Sequence, residues 1–208
     1  MVDLRTGAVV GTGVVLFPTA IESRTGDRTA APAAWWVDAA GLIAEVADRV
    51  PDEVEAIHVA VTASDLRRPY LLSSIARLPG SLRQRLVLDV TEHEPIGLRT
   101  SVEASLAALR QLGVRFAVDA FGEGWANLTM VDVIRPEVLK ADPARLGNDD
   151  RLLRWIAELA RSIGATSVLD RIDRADDLVR GRRLGYDLGQ GGLWSGFGRS
   201  SEPHGHGR

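Results

Sequence analysis

Residues 116–128 read FAVDAFGEGWANL. The apolar opening suits a buried strand, and it delivers a carboxylate, Asp119, into a loop that holds Gly122 and Gly124. A strand end that presents an acid in this way is built like a site. The construction recurs downstream. VLKAD (138–142) ends on Lys140 and Asp142, VLDRID (168–173) on Asp170 and Asp173, and LGYDLGQGG (184–192) on Gln190.

Outward from these segments, short Val- and Leu-rich runs alternate with helical patterns. Strands are predicted over 9–17, 56–61, 86–90, 115–120, 137–142, 166–172 and 186–192, since short apolar runs of this kind fit a sheet buried on both faces. Stretches 35–50, 64–78, 98–113, 151–164 and 174–185 carry apolar residues at i, i+3, i+4 and i+7 and are predicted to be helices. Gly113, Gly164 and Gly185 each follow the last periodic residue, where a left-handed terminal position favours glycine. Repeated strand and helix units argue for a parallel sheet, and this many of them for a barrel. In a barrel the C-terminal ends of the strands carry the chemistry. Asp89, Asp119, Lys140, Asp170 and Gln190 all fall at or near such ends. Each also has an ordinary structural role open to it: Asp119 could cap a turn, Asp170 and Asp173 could begin a helix at its positive end, and Gln190 could bond backbone. Their joint placement is the stronger signal.

Composition bounds the function. The chain has 208 residues, enough for one sizeable core, with 45% hydrophobic and 25% charged residues. We expect a single domain over 1–197 and a flexible Gly, Ser and Pro-containing tail over 198–208. A net charge of −3 offers no electrostatic case for nucleic acid or an anionic membrane. No cysteine is present, so disulfides and thiolate zinc sites are impossible. No apolar window is long enough for a membrane span, and a cytoplasmic location is expected. Of the 25 basic side chains, Lys140 is the one lysine. An ammonium can move protons where an arginine effectively cannot, so this residue matters if the site still uses it.

The four segments together resemble the EAL family, the phosphodiesterases that linearise cyclic di-GMP, whose corresponding motifs read DDFGTGYSSL, KID, AEGVE and QGY. The resemblance covers about residues 3 to 197. It implies a modified TIM-like (β/α) barrel whose first strand runs antiparallel to the others. That first strand is expected to be missing here, because VDLRTG matches the turn that follows it, leaving an incomplete barrel of seven strands. Unpaired edges in such a barrel need covering, so a protein partner or a homo-oligomer is expected.

What the resemblance implies about the site is degeneracy. The family's signature Glu falls on Gly13, the metal-binding Asn of its NxS on Thr62, and the second aspartate of DDFG on Ala120. Asp89 and Asp170 stand where the family has longer glutamates. Asp119 matches the bridging metal ligand, Lys140 the lysine thought to work with the attacking water, Gln190 the glutamine of QGY, and Glu92 the residue that steadies the DDFG loop. Ser64 keeps the serine of NxS, and Asp142 and Asp173 match supporting acids. Two-metal hydrolysis needs several converging carboxylates. We therefore expect vestigial metal positions (Asp89, Asp119, Asp170), no working catalytic set, and no cofactor, with Mg or Mn needed only if phosphodiesterase activity persists. The arginine with which the family contacts the dinucleotide is replaced by Phe17, although Arg67, Arg68 or Arg171 could compensate.

The expected function is a catalytically inactive regulatory or interaction module related to cyclic di-GMP signalling. The alternatives are a metal-independent cyclic di-GMP receptor and a residual phosphodiesterase. His58 reads as a core or sheet-face histidine rather than a ligand. His93, beside Glu92 and Glu94, fits a supporting or a solvent-facing role, and His204 and His206 lie in the tail. Trp35 and Trp36 offer an apolar patch that could mark an interface.

Overall fold

A computed structural model of the chain describes residues 1–14, 54–91, 102–124 and 126–194. Its strands are β1 (Val2–Asp3), β2 (Gly11–Val14), β3 (Ala56–Thr62), β4 (Leu86–Thr91), β5 (Arg115–Val118), β6 (Val138–Ala141), β7 (Thr166–Leu169) and β8 (Leu188–Gly189). They form one sheet in the order β1-β8-β7-β6-β5-β4-β3-β2, parallel throughout except for β1, which is antiparallel to β8. The edge strands meet at one antiparallel bridge, Val2 opposite Val9, helped by a Val10 N–H bond of 3.1 Å to the Met1 carbonyl. The barrel is incomplete, its edges joined among the described residues by this isolated bridge rather than by a strand ladder, and it has eight strands rather than the seven expected.

One expectation is corrected. The antiparallel first strand is not missing; it survives as the two residues of β1. VDLRTG contains both this strand and its turn. Asp3 accepts the Arg5 and Thr6 N–H groups at 2.8 Å each, and Gly7 follows at φ 77°. Two residues are too few for any periodicity, so sequence patterning passes over them.

The helices are α1 (Ala63–Leu66), α2 (Pro69–Ala76), α3 (Gly80–Arg85), α4 (Glu103–Gln111), α5 (Leu128–Ile134), α6 (Asp150–Ser162) and α7 (Ala175–Leu184). The single helix predicted over 64–78 is two. Pro69 takes the first helical position of α2 and holds Arg68 extended at φ −95°, ψ 124°, as the residue before a proline must be. Short α3 and α5 escape the sequence pattern. The helix predicted over 35–50 lies outside the described residues, as do residues 15–17 of the strand predicted over 9–17 and the tail 198–208.

Strand side chains sort by parity. Ile57, Val59 and Val61 of β3, Leu86, Leu88 and Val90 of β4, and Phe116 and Val118 of β5 join the large core shared with the helices. The alternate residues face the barrel interior. There Val87, Ala117, Val138 and Val168 form a second, small apolar cluster. Two positions further along β4, β5, β6 and β7 the same parity yields Asp89, Asp119, Lys140 and Asp170. A one-residue slip of any strand would exchange these polar groups for core hydrophobes, so burial of the outer face fixes where the acids point.

Candidate functional site

Lys140 and Asp89 lie on alternate inner positions of β6 and β4, and their side chains form a buried ion pair between Nζ and Oδ2. Asp89 is also the acceptor, through Oδ1, of His58 Nδ1 at 2.7 Å. All three are buried, with relative exposures of 3% for His58, 7% for Asp89 and 2% for Lys140. Burial alone would raise the Asp89 carboxyl, but Lys140 and His58 outweigh it and hold it below the ordinary carboxylate range. Burial pushes His58 down, against the pull of Asp89, so at neutral pH it is an uncharged imidazole that donates to the carboxylate. The histidine reading is thus a core histidine with a specific partner. That partner could not be foreseen, because the residues stand 31 and 51 positions apart from Asp89 in the chain.

Asp119 and Asp170 sit just past β5 and β7. Burial raises both; Lys140 offsets this in part, while Asp89 and Asp170 raise Asp119 further and Asp142 raises Asp170. The three aspartates and the lysine therefore share one field at the strand ends. The loop after Asp119 is pinned from both sides: the Asp119 N–H bonds Val90 O at 3.1 Å, and the Phe121 N–H bonds Lys140 O at 2.9 Å. Ala120 between them is left-handed at φ 49°, a strained state for a residue with a Cβ. Phe121 stacks on Trp155 of α6 at 6.2 Å.

Asp142 is gripped by two guanidiniums, Arg171 Nε at 2.7 Å and Arg145 Nε at 3.3 Å, and Arg145 also pairs with Glu123 of the Asp119 loop. Asp173 accepts the Gly192 N–H at 2.6 Å. The side-chain oxygen of Gln190 is buried without a partner. Thr62 caps α1: its Oγ1 accepts the Asp65 N–H at 3.2 Å and donates to Asp65 Oδ2 at 2.7 Å. Ser64 lies in the first turn of that helix. Glu92, Phe17, His93, Trp35, Trp36, His204 and His206 lie outside the described residues.

Among the described residues, several positions of this donor set lack a side-chain donor or have it engaged elsewhere. Gly13, which stands opposite His58 in the β2–β3 register, and Ala120 have no side-chain donor. Thr62 is committed to its cap, and both oxygens of Asp89 are committed to cationic or N–H partners. Among the described residues no three of His, Asp and Glu are placed to hold one metal ion.

Raised acids at a strand end cost stability. The folded Asp119 holds its proton to higher pH than the unfolded chain, whose value is near 3.8. Stability therefore falls as pH rises from 3.8 through the folded value. Asp119→Asn is expected to stabilise the protein at pH 7 by on the order of 1 kcal/mol. In thermal melts the gain should shrink on acidification. A loss at pH 7 would mean that Asp119 is held by a favourable contact instead.

The comparisons with known proteins agree with the fold. The family model described as EAL domain matches residues 37–196. Probable cyclic di-GMP phosphodiesterase PdeG of Escherichia coli is 27% identical over 144 residues, which are 64% of this chain and 28% of PdeG. A calcium and cyclic di-GMP complex of Klebsiella pneumoniae BlrP1 superposes with a TM-score of 0.74 at 20% identity, over 92% of this chain and 52% of that one. An EAL domain protein from Listeria monocytogenes superposes with a TM-score of 0.68 at 17% identity, over 90% of this chain and 82% of that one. The chain thus spans less than a third of the curated relative's length and about half of BlrP1.

Proposed function

This chain belongs to the EAL domain family, and from that premise we propose that it is a regulatory or interaction module of cyclic di-GMP signalling that does not hydrolyse the dinucleotide. The observation that carries the proposal is the ion pair of Lys140 with Asp89, closed by His58. Two-metal hydrolysis of a phosphodiester needs carboxylates free to bind cations about 3.5–4 Å apart. Here the central carboxylate is neutralised by an ammonium, and the positions on either side of it are Gly13, Thr62 and Ala120. A cation entering would have to displace a buried lysine from its counterion. An exposed Trp155, stacked on Phe121 of the Asp119 loop, gives a protein partner a contact coupled to the site. A single domain of this kind needs no cofactor.

One observation favours a second reading, that of a metal-independent receptor. Arg171 and Arg145 stand at the strand ends with side-chain exposures of 54% and 47%, and a guanidinium fork suits phosphate oxygens. Calorimetric titration of cyclic di-GMP, with and without manganese, followed by product analysis, separates the readings. We expect no linear dinucleotide in either condition. Manganese-dependent product that disappears in Asp119→Ala would overturn the proposal. Saturable binding without product, weakened at least tenfold in Arg171→Ala, would establish the receptor instead.

A further inference from the structure

The barrel end opposite the acids is hollow. A cavity of about 530 Å³ opens there among the starts of the strands, within the range that holds small-molecule ligands. Its origin is in the sequence. A full barrel of this type stacks layers of bulky side chains, whereas this interior is filled by Val87, Ala117, Val138 and Val168, with Met1, Ala56 and Leu188 packed against them. Ala56, which lines the space, leaves volume unfilled on the side away from Lys140. Val10, Val87, Val138 and Leu188 line the space, and buried His58 reaches it from the polar chain above.

The charges at the mouth are unequally committed. Arg5, Arg115 and Arg161 face Asp3, Glu55 and Asp187 there. Asp187 is occupied by the Ser167 N–H at 3.0 Å and hydroxyl at 2.8 Å, and Asp3 by the N–H groups of its own turn. Arg115 gives Nη2 to the Glu55 carbonyl at 3.0 Å, but its Nε is buried and has no partner. A buried donor left unmade is costly, and an anion brought to it would be held by a charge-assisted bond. We propose that this cavity binds a small organic anion, with its head on Arg115 and its apolar body among Val10, Val87, Val138 and Leu188, extending towards His58. The site is distinct from the strand ends that the family uses, and it requires no cyclic di-GMP.

The test compares 8-anilinonaphthalene-1-sulfonate with its uncharged counterpart N-phenyl-1-naphthylamine, added to the whole chain without nucleotide. The sulfonate should saturate one site per chain, at least tenfold tighter than the neutral compound. Arg115→Gln should remove that difference while leaving the neutral compound unaffected. On the unaltered protein, the ring resonances of His58, assigned by through-bond correlation, should shift with the same saturation curve, which needs no variant to fold. Unsaturable or multiple-site binding, equal affinity for the two compounds, or an unperturbed His58 ring would each overturn the proposal. Shifts confined to the Trp155 indole would do so as well, by placing the dye on the exposed surface.

Discussion

Lys140→Met is expected to destabilise the protein by about 3–5 kcal/mol, the usual cost of stripping the counterion from a buried charge. For a domain of this size that lowers the melting temperature by roughly 10 °C. The cause is desolvation rather than lost attraction: Asp89, 7% exposed, would keep its charge with only the neutral His58 to bond it. Replacing both partners should recover most of the loss, so that Asp89→Leu with Lys140→Met lies far closer to the parent than either single change. The thermal melts should also become pH-dependent in a telling way. Lys140 lowers His58 and Asp89 raises it, so without the lysine His58 takes a proton more readily and replaces the lost counterion. The deficit of Lys140→Met should therefore be smaller at pH 5.5 than at pH 8. A single variant with parental stability at pH 8 would show that Asp89 is solvated, contrary to its burial.

In the parent the sign runs the other way for His58. Its folded value is depressed below 6.5, so the unfolded chain binds the proton first. The stability that comes from keeping His58 neutral is present above pH 6.5 and is lost as the pH falls below it. Asp89, depressed as well, contributes stability that persists to lower pH and is lost only as the carboxylate itself protonates. Acid therefore acts on the centre of the barrel in two stages, histidine first. The polar chain inside the barrel is in this sense a structural element with a charge state, as satisfied buried networks commonly are.

Much of this was legible in the chain. The helix ends at Gly113, Gly164 and Gly185 are left-handed at φ 89°, 74° and 86°, because the apolar period stops just before each glycine. The inward parity of Asp89, Asp119, Lys140 and Asp170 was legible too, since each follows or interrupts a run whose alternate residues are core hydrophobes. The partner of Asp89 was not. It depends on the register of β3 on β4 and on a lysine reaching across the barrel from β6, and no local pattern encodes either. The hollow at the opposite end was hidden for the same reason: Ala56 is unremarkable until the barrel brings its neighbours together. The break at Arg68 was there to be read in Pro69, but the apolar period on both sides concealed it.

Gly191→Ala is expected to cost about 3–5 kcal/mol or to displace the end of β8, combining backbone strain with lost hydrogen bonds. Gly191 follows Gln190 and has φ 156°. A Cβ there would lie 2.4 Å from both the N and the O of Ile172, distances that no rotamer change can relieve because the obstacle is backbone. Ile172 cannot retreat cheaply. Its N–H bonds the Gln190 carbonyl at 2.9 Å, its carbonyl accepts the Leu193 N–H at 3.0 Å, and its side chain is fully buried. The same peptide that holds Gln190 inward is thus wedged against the strand-end loop that carries Asp170 and Arg171. Gly124→Ala is the control, since φ 53° carries the left-handed penalty but nothing lies within 4 Å of the added methyl; it should cost about 1 kcal/mol. Denaturant melts of the two variants separate the clash from the dihedral. Equal losses would mean that Ile172 yields, and that the Gln190 end of the site is softer than its hydrogen bonds imply.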